Sequence, residues 1–266
     1  MASYETLEVS REGHLTWLTL NRPDALNALS TGLVDELRDF FWKLPEDHET
    51  RVLVLRGAGR AFCAGLDLKE VRGDAAEGGL AAGLRGQRHI AEIPMLMRRA
   101  PQPILAAVHG AAAGGGFALA LASDVRIAAE SARMNAAFIR IGLSACDIGV
   151  SYFLPRLIGA SVASELLLTG DFIGAQRALA TGLVSRVVPD AELEEAAREL
   201  AGRMLRNSPV GLRLTKECLK ANLDAGSLEA AIAMEDRNQV LAARSEDFQE
   251  GVRAFFEKRQ AKFQDR

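Results

Sequence analysis

Three consecutive glycines, Gly114-Gly115-Gly116, stand between an apolar run at Ile104–Val108 and the apolar stretch Phe117-Ala-Leu-Ala-Leu-Ala122. That order predicts a buried strand, a glycine loop and an apolar helix. Glycines let a backbone pass close to a bound group. A helix starting there aims free N–H groups and the positive end of its dipole at that group. This is chemistry for holding a negatively charged oxygen. The same glycines would also serve tight helix packing, and the stretch by itself leaves the two readings level.

The stretch Gly142–Arg156 offers one carboxylate, Asp147, among apolar neighbours. Burial there would raise its pKa and suit it to moving a proton near neutral pH. A helix cap ahead of Ile148-Gly149-Val150 is the competing role for the same side chain. Of the four histidines, His89 lies beside a glycine-rich segment and could face a site. His109 ends the strand and reads as structural, and His14 and His48 read as surface positions. No histidine pair has metal-ligand spacing, so no metal is expected.

Hydrophobic periodicity gives the elements that would position these groups. Leu7–Ser10 and Leu15–Leu20 read as a β-hairpin around Arg11-Glu12-Gly13. Ser30 caps a helix whose stripe is Leu33, Leu37, Phe40, Phe41 and Leu44. Arg51–Arg56 is a strand that runs into the small-residue loop Gly57 to Leu68. Residues 73–86, with five glycines and four alanines, read as a loop, and Ile90–Arg99 as a helix. Further strands are expected at Asp124–Ala128, Arg133–Ala137 and Leu183–Val188. From Ala160 onward the chain reads as mainly helical, with one helix starting at Ser208-Pro209. Strands separated by helices argue for crossovers and parallel pairing.

The composition is that of a soluble globular chain: of 266 residues, 48% are hydrophobic and 25% charged. A net charge of -3 gives no signal for nucleic acid or a membrane surface. No secretory signal or membrane-length apolar run is evident. Three widely spaced cysteines, Cys63, Cys146 and Cys218, disfavour a disulfide framework and fit a cytoplasmic location.

Seven stretches in register carry a family resemblance. They are Leu20–Leu29, Gly59–Glu70, Ile104–Gly116, Ser123–Ala129, Leu168-Thr-Gly170, Gly182–Val188 and Ala254–Arg259. With these the sequence resembles the crotonase superfamily, the enoyl-CoA hydratases and isomerases, over almost its whole length. The resemblance implies an α/β fold, a crotonase-like spiral of ββα repeats with a C-terminal helical trimerisation region. Residues 1–200 would form the spiral core with the thioester site, and 201–266 the helical region for oligomerisation. It implies an acyl-CoA thioester as substrate, no separate cofactor, and a homotrimer or dimer of trimers. The oxyanion-hole donors would be the N–H groups of Leu66 and Gly115. Ala64, Asp67 and Leu68 would lie along the CoA, with capping of the helix at Leu68–Val71 as the competing role for Asp67. Phe255 and Lys258 match the aromatic and lysine that reach the CoA of a neighbouring subunit, although Phe255 also lies on an apolar helix stripe.

The departures are as informative as the matches. The two glutamates a hydratase uses on water fall here at Ala118 and Phe138, two pocket positions that cannot transfer protons. Isomerase-like chemistry through Asp147 is therefore expected over efficient hydration. Asp147 resembles the acid of some dienoyl-CoA isomerases. With Ser151, Tyr152, Leu154 and Arg156 it also resembles the nucleophile pattern of 4-chlorobenzoyl-CoA dehalogenases, whose base would fall near Met95. A nucleophilic hydrolase or dehalogenase, and a non-catalytic acyl-CoA-binding protein, are the alternatives. Acyl length and branching depend on which side chains of the 73–98 segment, together with Phe138, line the pocket.

Overall fold

Leu15–Leu20 (β2) is buried at every position, because both faces of its sheet are covered. The computed structural model that shows this describes residues 4–70 and 79–265. β2 pairs antiparallel with Leu7–Glu12 (β1), which runs two residues beyond the expected strand. On its other edge a parallel series follows: Val52–Gly57 (β3), Ile104–Val108 (β4), Val125–Ala129 (β6) and Arg186–Val188 (β9). A second sheet holds Ala111–Ala113 (β5), Arg133–Asn135 (β7) and Ile173–Gly174 (β8). Bridges Leu29↔Leu66 and Cys63↔Ala112 bring two further short segments beside it. The chain thus winds as a spiral. Each turn gives a strand to the first sheet, a short strand to the second, and then a helix.

Ser30 caps Thr31–Lys43 (α1) as expected, its hydroxyl accepting from Leu33 N at 3.2 Å. Gly115–Ala122 (α3) is buried at all eight positions. Such a helix has no water to satisfy its last carbonyls. Arg126 does so, donating to Ser123 O at 2.6 Å and more weakly to Ala120 O and Leu121 O. Burial pushes the Arg126 guanidinium down to about 10.

The helix expected at Ile90–Arg99 begins earlier, giving Gly79–Arg99 (α2). Residues 79–86 of the expected loop are therefore helical, and residues 73–78 lie outside the described residues. Each interior glycine costs a helix about 0.5–1 kcal/mol relative to alanine. Packing offsets this: Ile93, Leu96 and Met97 of α2 are buried in the cluster that also holds Leu33 and Leu37 of α1.

Val150–Ile158 (α4), Ala160–Thr169 (α5) and Ala175–Ala180 (α6) follow the second sheet. Leu193–Leu205 (α7) covers the outer face of the first sheet, setting Ala197 and Ala201 against Trp17, Val54 and Ile127. A division of the chain at residue 200 would fall inside this helix. Beyond it run Pro209–Asn222 (α8), Leu228–Ala243 (α9) and Glu246–Phe256 (α10). Lys216 of α8 is buried and paired with Asp124 at 2.7 Å, which ties the helical region to the end of α3. No described helix is long and apolar enough to cross a membrane.

Candidate functional site

Gly115 is the first residue of α3, so its N–H is one of the four that a helix leaves unpaired. Gly114 before it donates to Asn135 O at 2.9 Å, which fixes the loop on β7. The packing reading of the glycine triplet also holds, at a different residue. A Cβ on Gly116 would sit 2.2 Å from Cys63 O, so only glycine lets the 61–66 loop lie against the helix start. Gly65 in that loop has φ +95°, and a Cβ there would come within 2.8 Å of Ala113 O and 3.6 Å of Gly115 N.

The next residue, Leu66, is held from one side. Leu29 N donates to Gly65 O at 2.7 Å and Asp67 N donates to Leu29 O at 3.0 Å. Alternate backbone groups of an extended segment face opposite ways, so the Leu66 N–H turns away from Leu29. Leu66 and Gly115 both line a cavity of about 560 Å³. Among the described residues, neither N–H donates to a protein acceptor. Cys63 packs behind this junction, fully buried, and burial pushes its thiol up to about 12, so it is inert.

Asp147 lies on the wall of the same cavity. It is half-buried, not enclosed as the sequence led us to expect. Nor does its side chain cap α4: the N-cap is Gly149. Its Oδ1 instead accepts from Ile148 N at 2.7 Å and from Gln87 Nε2 of α2. Ile148 has φ +36°, a strained conformation for a β-branched residue, costing on the order of 1–3 kcal/mol. The strain sits between the carboxylate and Gly115, since a Cβ on Gly115 would lie 3.7 Å from Ile148 Cδ1.

A family model for enoyl-CoA hydratase/isomerase matches residues 10–266. The chain belongs to the enoyl-CoA hydratase/isomerase family. It is 40% identical over 252 residues to a Mycobacterium tuberculosis protein named probable enoyl-CoA hydratase EchA12, covering 93% of this chain and 88% of that one. It is 36% identical over 246 residues to the 1,2-epoxyphenylacetyl-CoA isomerase of Escherichia coli, covering 92% and 93%. The crystal structure of an enoyl-CoA hydratase from Bacillus anthracis superposes with a TM-score of 0.93 at 36% identity, covering 98% of this chain and all of that one. The fold is therefore the crotonase fold.

Within this family fold, the residues singled out from sequence divide into three groups. Ala64, Leu66, Asp67, Leu68, Gly115, Phe138 and Asp147 line one cavity. Ala118 is fully buried in α3 and is not on the cavity wall. Phe255 and Lys258 lie at the end of α10. Phe255 is 78% exposed, so intrachain packing does not account for it. Asp67 does cap, its Oδ1 accepting from Lys69 N at 3.2 Å, while Oδ2 pairs with Arg22 at 3.0 Å.

His89 also reaches the cavity wall and pairs with Asp35 of α1. His109 is bonded to Gly59 O at 3.0 Å, which agrees with the structural reading. Tyr152 and Arg156, matched to the dehalogenase pattern, both bind Asp224 and are not on the cavity wall. Met95 is not on it either. Among the described residues, no group of three or more His, Cys, Asp or Glu side chains is placed to hold a metal. Gln87, the partner of Asp147, was missed from sequence. Its only signal was helical spacing with Gly83 and Ile90, which the glycines of that segment obscured.

Proposed function

We propose that this protein is an acyl-CoA isomerase-like enzyme, with the thioester oxygen held by the N–H groups of Leu66 and Gly115. Asp147 would take a proton from the α carbon of a 3-enoyl chain or, in the reverse direction, from the γ carbon of a 2-enoyl chain. The electron pair left behind delocalises onto the thioester oxygen, where two fixed donors and the start of α3 meet it. The same carboxyl then returns the proton to a different carbon, and the double bond has moved. The thioester is itself the electron sink, so the CoA thioester enters as substrate and no further cofactor is proposed.

One observation carries this reading. Two unpaired N–H groups and the Asp147 carboxylate share a cavity wall; of the other wall carboxylates, Asp67 is paired with Arg22 and Glu70 accepts from Thr31, while the hydratase positions hold a buried alanine and an apolar phenylalanine. Relatives of comparable identity are named both isomerase and hydratase, so identity does not choose between the reactions. What supports isomerisation is the proton inventory. Activating and splitting water normally engages two carboxylates, whereas one can shuttle a proton. We also read the exposed Phe255 and Phe256 of α10, with Lys258 just beyond it, as the part that meets a neighbouring subunit and its CoA in a homotrimer or dimer of trimers.

The test compares conversion of a 3-enoyl-CoA to its 2-enoyl isomer with hydration of crotonyl-CoA. Isomerisation should be the faster reaction. Asp147→Asn should lower its kcat by about 10²–10⁴-fold, the usual contribution of a general acid–base group, and leave KM nearly unchanged. Crotonyl-CoA hydration at ordinary enzymatic turnover would contradict the reading. So would an undiminished Asp147→Asn variant, or binding of acyl-CoA with no turnover of any substrate.

A further inference from the structure

The cavity face of α2 is built against the usual rule for a helix beside an apolar space. Its residues on the wall are Gly79, Ala82, Gly83, Gly86, Gln87, His89 and Ile90, which apart from His89 follow the i, i+3, i+4, i+7 spacing of a single stripe. On an ordinary helix that stripe would carry leucines. Here the leucines of this half, Leu80 and Leu84, are exposed, and the stripe carries residues with little or no side chain.

Nothing among the described residues accounts for Gly83 and Gly86. Neither has a positive φ, and among the described residues a Cβ built on either meets no atom within 4 Å. Backbone conformation and close packing, the two reasons a helix keeps an interior glycine, are both missing. The facing wall tells the same story from the other side. Ile141 and Leu143 line the cavity and are each about half exposed, apolar surface that the described residues leave uncovered. A strip bare on one side and uncovered apolar surface on the other describe a space kept for an apolar occupant.

From these placements we propose that Gly83 and Gly86 are specificity-determining residues, holding open a groove for a linear acyl chain well beyond four carbons. The direction follows from the site. Asp147 meets α2 at Gln87, where proton transfer would occur, and from there the stripe continues to Gly86, Gly83, Ala82 and Gly79. From Gln87 to Gly79 it runs for about 12 Å at 1.5 Å of rise per residue. An elongated groove of that length suits an extended chain lying along the helix, not a compact ring. The inference rests on the thioester reading of the same cavity and names the acyl class that reading leaves open.

Calorimetric titration of the intact protein with butyryl-CoA and decanoyl-CoA tests it, since both are saturated and bind without reacting. Wild type should bind decanoyl-CoA about tenfold or more tightly than butyryl-CoA, because the extra methylenes leave water. Gly83→Leu and Gly86→Leu should each lower the decanoyl-to-butyryl affinity ratio by about tenfold through filling the groove. Their melting temperatures should match or exceed wild type, because leucine is the better helix former. That measurement separates a blocked groove from a damaged fold. Equal wild-type affinity for the two thioesters, or unchanged ratios in both folded variants, would overturn the inference alone. Binding of neither thioester by folded wild type would overturn the thioester reading and the inference with it.

Discussion

In the oxyanion hole proposed at Leu66 and Gly115 the working atoms would belong to the backbone, so residue identity matters less than how each N–H is left free. Gly115 N is free because it opens a helix. Leu66 N is free because its neighbours spend their bonds on Leu29. Asp147 is the opposite case, a side chain whose direction is set by others. Gln87 and the Ile148 amide aim it, and the positive φ of Ile148 is the local cost of that aim. Its half-exposed position also differs from the buried acid its apolar neighbours suggested. Ile141 and Leu143 are apolar in sequence yet leave the site open, because they line a cavity instead of filling a core. Periodicity reports that a residue is apolar. It does not report whether protein or ligand will cover it.

At the scale of elements, α3 is the part on which the site depends, and its two ends are secured differently. Its start lies against the Cys63–Leu66 loop through Gly116, and its buried end is closed by Arg126, which also donates to Leu183 O at 2.8 Å. Arg126→Met would orphan several buried carbonyls. With each unmet buried group costing about 1–3 kcal/mol, the unfolding free energy should fall by at least about 2 kcal/mol, and Arg126→Lys should recover part of the loss. Urea denaturation at neutral pH reads both variants. The strands of the first sheet, the Ser30 cap, the helix start at Ser208-Pro209 and the glycine loop were legible in sequence, because each has a local signal: alternation, a hydroxyl before a stripe, a proline in a first turn, a run without side chains. The short strands β5 and β8 were not. The first half of α2 was not. Its glycines are loop residues by propensity, and the helix is decided by the packing of Ile93, Leu96 and Met97 further along.

For the molecule as a whole, the least legible part was the C-terminal region. Its stripe of Phe248, Val252, Phe255 and Phe256 reads as core, yet all four are exposed in the single chain. Short-range pattern marks the face but not the chain it meets. What holds the end of this region in place is polar. Asp265 accepts from both Arg213 guanidinium nitrogens, at 2.8 and 2.5 Å, and buried Asp247 accepts from Gln264 N and Asp265 N. The Arg213 hydrogen bonds hold the Asp265 carboxyl below the ordinary aspartate range, against the opposing effect of partial burial. A lowered folded-state pKa stabilises above the unfolded value, about 3.9 for aspartate, and that contribution is lost as pH falls through the folded value. Denaturation midpoints should therefore drop more steeply with acid in wild type than in Asp265→Asn, and parallel curves would contradict that tie. The central claim is that the whole spiral exists to bring two backbone donors to one thioester oxygen. Its most direct test replaces Leu66 by its α-hydroxy acid, turning one N–H into an ester oxygen and leaving the side chain intact. The account predicts a fall in kcat of roughly 100- to 1000-fold with acyl-CoA still bound. A kcat equal to that of wild type would contradict it.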